Sequence, residues 1–462
     1  MRKILIFAAF ISMVACSAED SVVRDLNNSI PGEPGDSDDG DPNSRSIEGI
    51  VFVPNNGPGM VPPGHELPVN DAVVYLSETR PAPIERGAQC LECTVSPAGG
   101  TETDHSGYFE LRNVNPGEYW LVIEKGQFRS EQTLTITESS PRRIEMDGAK
   151  TTLPSEYDPE AGKTIPRIAL AGAFWDPIES ILGKMGIGEV DSSGDFIQES
   201  ADGVFDLYAN GSGDLDESGM ETLADLVTDL ERMLEYQIIF IGCSQESNTG
   251  ALDDEQVLRN IRSYVEAGGK IYATDYSGEW VDNVWPGQMI LGGESGNSTN
   301  IDTPPEAYDA ESDSWNPSLF GNSNGSGSTT VPSTVRNADL QEWMNGQTGP
   351  LSGASIGPLN PFAFQVTGSF TRILGLNSVE LGVDAETGDT IVDTPQKYVV
   401  GQSTDAGEAP MTVTFEPAGC GRVLYSSYHT AEDPHIGLYE QERILVYLIM
   451  ELGVCKDDVI IE

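Results

Sequence analysis

Between residues 47 and 148 the chain alternates apolar and polar positions in short runs: "IEGIVFV", "AVVYLSE", "GYFELRNV", "YWLVIEKG", "SEQTLTIT" and "RRIEM". A period of two over five to eight residues predicts half-buried strands. His105-Ser106-Gly107 and Asn115-Pro116-Gly117 supply the turns, so this region reads as an all-β sandwich of about 100 residues. After a hydrophilic linker at 149–165 the rhythm changes. "PRIALAGAF", "FDLYAN", "YQIIFIG" and "KIYATDY" are apolar runs fit for buried parallel strands. Between them lie helical patterns: one opening at Asp176-Pro177-Ile178-Glu179, then "METLADLVTDLERMLE", then "DDEQVLRNIRSYVEA" closed by Gly268-Gly269. That alternation predicts a doubly wound α/β domain over 166–456. A segment rich in Gly, Ser, Asn and Pro at about 286–340 interrupts it as an irregular insertion. Sheet rhythm returns in "KYVVGQ", "PMTVTFE" and "GRVLYSSYH", and a final helix covers roughly 438–452.

The first residues follow neither rhythm. Arg2 and Lys3 precede the apolar run Ile4–Ile11, and Ala15 stands before Cys16. A charged start and an apolar run this short make a secretory signal. Its ending resembles a bacterial lipobox, which implies that Cys16 becomes the lipidated first residue, with 1–16 as signal and lipobox. Residues 17–46 are acidic, Gly/Pro/Ser-rich and nearly free of apolar side chains, a disordered tether reaching about 30 Å. The expected location is a bacterial cell envelope, periplasmic or cell-surface, with the membrane reached through the anchor. Lys and Arg total 25 against 74 Asp and Glu, a net charge of −49. Such a surface repels phosphate backbones, so no nucleic acid partner is expected.

The β region resembles the carboxypeptidase regulatory-like, or transthyretin-like, domain. The resemblance rests on Gly49, the run Val69–Leu76, Thr103, Gly107-Tyr108-Phe109, Val114, Pro116-Gly117, Tyr119 and Leu121. It implies a non-catalytic accessory module at 47–148. The α/β region resembles the class I glutamine amidotransferase-like superfamily, with a flavodoxin-like winding. Here the resemblance rests on "YQIIFIG", "YVEAGGKIYATDYSG" and "RVLYSSYH". The whole arrangement resembles lipoproteins of myxobacteria and their relatives. In the amidotransferases the corner after the fourth strand reads G-x-C-x-G. Aligning Gly278 with the second glycine puts Tyr276 at the nucleophile and Thr274 at the first glycine. A phenol with a pKa near ~10 is a poor replacement for a thiolate. Cysteine chemistry at this corner is therefore not expected.

Other candidates remain. Cys243 ends the third strand and is either a displaced nucleophile or a buried structural thiol. His429 matches the superfamily's late histidine, and Glu432, Asp433 and His435 follow it in "HTAEDPH". That cluster is either a general base or metal site, or a structural loop. Trp175, Asp176, Tyr276, Trp280 and His429 fall near carboxyl strand ends, where α/β sheets bind ligands. Aromatics among carboxylates there suit a carbohydrate or another neutral polar ligand, or a protein; equally, the tryptophans roof the core. Asp214, Asp216, Ser218 and Asp225 fall at positions 1, 3, 5 and 12 of an EF-hand-like loop, a candidate calcium site. Glu221, at a usually apolar position, argues instead for an acidic lead-in to a helix. Cys90 and Cys93 form a C-x-x-C in a loop, read as a local disulfide or an inert pair. Cys420 before the last strand and Cys455 after the last helix share one sheet edge, so a Cys420–Cys455 disulfide is expected.

Together these readings predict an envelope lipoprotein with a binding or scaffolding role. The alternative is a hydrolase that uses His429 with a metal or water. Natively exported protein should partition into detergent and begin at a lipidated Cys16; a mature chain that starts elsewhere would refute the anchor.

Overall fold

The computed structural model describes residues 44–54, 66–90, 97, 99–244, 247–293, 301–323, 328–351, 355–383, 388–403, 407–417 and 420–452. Cys16, Cys93 and Cys455, the expected signal and residues 17–43 of the expected tether lie outside them; the tether's expected end is corrected, since Arg45 and Ser46 already belong to the strand Arg45–Ile50. The fold is mixed, with several sheets and helices packed between them.

The alternating N-terminal runs form two sheets. One holds three strands in the order Tyr108–Val114, Arg45–Ile50, Arg143–Glu145. The other holds five, centred on the antiparallel pair Gly117–Lys125 and Phe128–Ile136. Ile47, Val74, Phe109, Leu111, Leu121, Ile123 and Phe128 are buried together, as strands with one apolar face require. The stretch expected as a linker packs instead. Leu153 and Ile165 are buried, and Lys163–Thr164 adds a strand beside Phe128–Ile136.

The remainder is organised by a nine-stranded sheet. Its strands are β1 (Ile168–Ala171), β2 (Asp206–Tyr208), β3 (Ile238–Ile241), β4 (Lys270–Thr274), β5 (Ser328–Val335), β6 (Phe364–Ser369), β7 (Gln396–Ser403), β8 (Gly407–Phe415) and β9 (Arg422–Ser426). They lie in the order β2-β1-β3-β4-β9-β8-β7-β5-β6. The first five are mutually parallel, and every later pairing is antiparallel. Ile238 and Phe240 join one core while Ile239 and Ile241 join the other, so the parallel half is buried on both faces. That is why its strands read as continuous apolar runs. Helices α1 (Ile178–Lys184), α2 (Leu223–Thr228), α3 (Glu255–Glu266), α4 (Glu279–Asp282) and α5 (Glu440–Leu452) accompany it. No helix among the described residues is long and apolar enough to cross a membrane.

Part of the 286–340 segment is regular. Met289–Leu291 pairs with Ile373–Leu376, and β5 belongs to the main sheet. This antiparallel arm does not stay flat. In a flat sheet β6, five places from β4, would stand about 24 Å away at ~4.8 Å per strand. Yet the amide of Phe370, just past β6, is 3.0 Å from the Asp275 carboxylate just past β4. The arm folds back around α5: Val331, Val335, Val366, Val399 and Met411 share a core with Ile444, Leu445 and Leu448.

The β region is bound to the rest rather than tethered to it. Trp343 Nε1 donates to the Pro68 carbonyl at 2.8 Å, and Gln127 Nε2 donates to Gln237 Oε1 at 2.7 Å. The buried Lys125 ammonium pairs with Glu451 at 2.7 Å. Gly268 has φ +101°, and a Cβ there would collide with the backbone of Gln89, so glycine lets the 87–90 loop lie against the base of β4. That approach delivers Cys90 to Cys420, and the two form a disulfide with Cα atoms 5.4 Å apart. The expected Cys420–Cys455 bond is therefore corrected, as is a Cys90–Cys93 pair. Cys420 does sit at the base of β9, but a loop from the β region reaches it there. Non-reducing peptide mapping should recover Cys90 linked to Cys420, across 330 residues. Its loss in Cys420→Ser should cost about 2–5 kcal/mol in chemical denaturation. A Cys90–Cys93 or Cys420–Cys455 peptide would overturn the pairing.

Candidate functional site

The parallel strands end together at one edge, and the chain must turn sharply there. After β4 the turn residue is Asp275, at φ +41°, a left-handed conformation costly for any residue but glycine. The strained residue is thus Asp275, one before Tyr276. Its side chain has no solvent exposure. Oδ1 accepts the amides of Phe370 and Thr371 at 3.0 and 2.8 Å, and the Asp275 carbonyl accepts the Tyr425 hydroxyl at 2.9 Å. Oδ2 faces the Cys243 thiol at 3.7 Å and His429 Nε2 at 3.9 Å. Burial pushes the Asp275 carboxyl up to about 7, against the opposing pull of His429 and of its hydrogen bonds to Thr371 and Phe370.

His429 follows β9 and is buried. Nδ1 lies 2.8 Å from the Thr430 carbonyl, which can only accept, so Nδ1 carries a proton. Nε2 makes no hydrogen bond; the Glu432 carboxylate is 3.5 Å away. Phe370 stacks on the imidazole at 6.0 Å between centroids. Gly368, at φ +67°, backs the ring so closely that a Cβ would collide with it. The imidazole is therefore held on both faces.

It opens onto a cleft of 420 Å³ whose wall includes Gly368, Phe370, Glu432, His435 and Tyr439. Behind the cleft His435 Nε2 is 2.8 Å from Glu442 and 3.1 Å from the buried Lys184 ammonium, whose pKa burial lowers. Tyr439 lies flat on His435 at 4.0 Å.

The other expected site residues separate. Asp176 is a clamp: Oδ1 accepts the amide and hydroxyl of Thr430 at 2.9 and 2.6 Å, and Oδ2 accepts the Thr274 hydroxyl. It ties the ends of β1, β4 and β9 and is fully committed there. Trp280 is buried in the core beside Ile271 and Val281, so it roofs that core and reaches no ligand. Trp175 is half-buried against Phe174, and Tyr276 packs 5.9 Å from Phe370; neither lines the cleft. Cys243 has no exposure. In the EF-hand-like loop, Asp225 closes a capping box with Thr222 at the start of α2, and Asp216 accepts the Ser218 amide at 3.1 Å. Among the described residues, no three His, Cys, Asp or Glu side chains gather as metal ligands. Gly368, Phe370 and Thr371 are part of the site but carry no local signal in "VTGSFTR", because their role arises from the folded-back arm.

No family model matches the chain, and no curated protein matches it. Among solved structures it is similar to the "Cytoplasmic Protein STM3548 from Salmonella typhimurium", at 12% identity. That match covers 63% of this chain and 98% of the other, with a TM-score of 0.27, too low to carry an argument.

A carboxyl whose folded pKa lies above its unfolded value stabilises the native state most below about pH 4 and loses that contribution as the pH rises to about 7. Glu179, buried and pushed up to about 8, behaves in the same sense. Asp275→Asn should thus gain stability relative to wild type as the pH is raised from about 5 to about 8, by roughly 3 kcal/mol at most. Parallel melting curves for the two proteins across that range would contradict the buried ionisation.

Proposed function

We propose that the chain is a lipid-anchored cell-envelope protein that binds a small polar ligand, or a partner displaying one, in the His429 cleft without turning it over. In this reading the β region is a transthyretin-like accessory sandwich. The remainder is a doubly wound, amidotransferase-like domain whose corner no longer does chemistry. One observation carries the reading: the corner is capped by its own chain. Phe370 and Thr371 donate both amides to Asp275, where an incoming acyl group would need access. Cys243, the one thiol near the corner among the described residues, is closed off from solvent. An attacking thiol needs exposure, and Cys243 has none, its Sγ turned instead toward Asp275 Oδ2 at 3.7 Å.

A rival reading keeps His429 as a general base acting on water, supported by its place in the wall of the cleft with Nδ1 anchored on the Thr430 carbonyl. The two part experimentally. On binding alone, glutamine releases no ammonia and p-nitrophenyl esters are not hydrolysed. Cys243 resists iodoacetamide until the protein is unfolded, and polyols such as glucose shift the NMR resonances of residues around the cleft. Turnover lost in His429→Gln would establish the rival. Rapid native alkylation of Cys243 would remove the main support for a closed corner.

A further inference from the structure

We infer that an apolar face on the antiparallel arm docks on the surface of a lipid bilayer. This face shares no residue with the wall of the His429 cleft, and it rests on the anchor reading only for its access to a membrane. Its first sign is in the sequence. Between Glu342 and Arg372 the chain runs 29 residues, Trp343–Thr371, without an Asp, Glu, Lys, Arg or His, although 21% of the whole is charged. Within that run Thr348–Leu351 and Ser355–Pro358 pair as an antiparallel hairpin. Paired residues point to the same side, so Gly349 and Gly357 share one face while Pro350 and Ile356 share the other. The glycine face lies on α5. A Cβ at Gly349 would collide with the Arg443 guanidinium, which also donates to the Thr348 carbonyl at 3.0 Å. Pro350, Ile356 and Pro358 therefore point away from the core, and Ile356 is 73% exposed. Beyond the hairpin Leu359 and Pro361 are buried, while Phe362 is 58% exposed.

A strand face turned to water normally carries polar side chains, and this one is apolar. Three kinds of occupant differ in what they require. A strand added at the hairpin's edge needs a row of backbone donors, and Pro350 and Pro358 have none to give. A second copy needs area. Pro350, Ile356, Pro358 and Phe362 fall well short of the roughly 800 Å² that each partner of a stable dimer buries. Two chains of net charge −49 also repel each other. A bilayer interface asks for less, because a few apolar side chains entering it suffice once a tether holds the protein nearby. Charge selects the same face. Anionic headgroups repel an acidic surface, so a stretch free of carboxylates is the part that approaches closest. The other exposed hairpin is different: Val383 and Val392 stand among Glu380, Asp389 and Asp393. Geometry permits the contact. The described chain begins at Ser44, and Ile50 shares a cleft wall with Gly346 and Gln347 beside the hairpin. The strand from Arg45 to Ile50 covers about 17 Å at ~3.3 Å per residue. Residues 17–43, as a coil, reach about 30 Å further. An anchor on Cys16 therefore leaves the face within range of the same membrane.

The test uses the full mature chain made with Cys16→Ser, so that no lipid is attached, and unilamellar vesicles of phosphatidylcholine. At millimolar lipid the protein should float with the vesicles. Ile356→Ser combined with Phe362→Ser, both at exposed positions, should lower that partition about tenfold or more. Val383→Ser combined with Val392→Ser should leave it unchanged. Raising the salt from about 50 to about 500 mM should not weaken binding, whereas adding phosphatidylglycerol to the vesicles should. Amide exchange in the wild-type chain should slow across Thr348–Phe362 when vesicles are added, which reads the face without any substitution. Flotation that survives the two serines overturns the inference. Wild-type protein that stays in solution overturns it too, and leaves the face to a protein partner. A dimer seen by sedimentation without lipid, and abolished by the same serines, would give the face to a second copy instead. Native protein without lipid on Cys16 would refute the anchor alone, since vesicle binding is measured on a chain that has none.

Discussion

The contact on which the architecture of this edge depends is the buried Asp275 carboxylate receiving the Phe370 and Thr371 amides. Two parts of the chain 95 residues apart meet there. The arm between β5 and β9 could lie flat as an antiparallel extension of the sheet, leaving α5 with one apolar face uncovered. Folding it back buries the arm's inner face on α5 and brings the end of β6 to the end of β4. The carboxylate fixes the closure in one register, since only these two amides reach it. A charge-assisted hydrogen bond contributes roughly 1.5–3 kcal/mol, so two of them can offset part of the cost of burying the acid. The same closure places Phe370 and Gly368 against His429. Site and scaffold are therefore consequences of one fold-back.

A second constraint acts at the opposite edge. The Cys90–Cys420 bond, the Lys125–Glu451 pair and the Gln127–Gln237 contact all cross from the β region to the bases of the parallel strands or the end of α5. These three contacts lie at the edge of the sheet opposite Asp275 and His429. Its own core runs continuously into that of α1 and α5, so the two parts share one interior. Motion between them would expose that interior, so the arrangement favours one rigid body over a hinge.

What the sequence revealed and what it concealed divide along the range of the interactions. Continuous apolar runs placed β1, β3 and β4 correctly, because burial on both faces leaves no polar positions to confuse the pattern. The helix "DDEQVLRNIRSYVEA" was equally legible, with Asp254 as its cap and Gly268 past its end. Asp176 carried the pattern of an N-cap, but tertiary demand overrode it: its carboxylate serves Thr430 and Thr274, and the helix starts without a side-chain cap. "METLADLVTDLERMLE" read as one helix and is two, because Asp229 leaves helical geometry and caps the second piece. His429 was visible as a candidate, yet its neighbours Gly368 and Phe370 were not, since nothing local marks residues whose partners lie some 60 positions away. The disulfide failed for the same reason. A sheet-edge argument located Cys420 but could not foresee a loop arriving from another sheet.

One feature of the corner is not explained by the closure alone. An asparagine at 275 would present the same Oδ1 to Phe370 and Thr371 and would avoid burying a titratable group, so the hydrogen bonds do not require an acid. What the acid adds is Oδ2, directed at His429 and Cys243 rather than at the amides. It couples the closure to the buried imidazole, whose Nε2 lies 3.9 Å away. The buried Cys243 thiol is directed at the same oxygen, with Sγ 3.7 Å from Oδ2. Glu432 also approaches Nε2, at 3.5 Å, so the imidazole stands near two carboxylates, one buried and one exposed at the cleft. The acid at 275 thus ties the closure to the histidine as well as to the two amides.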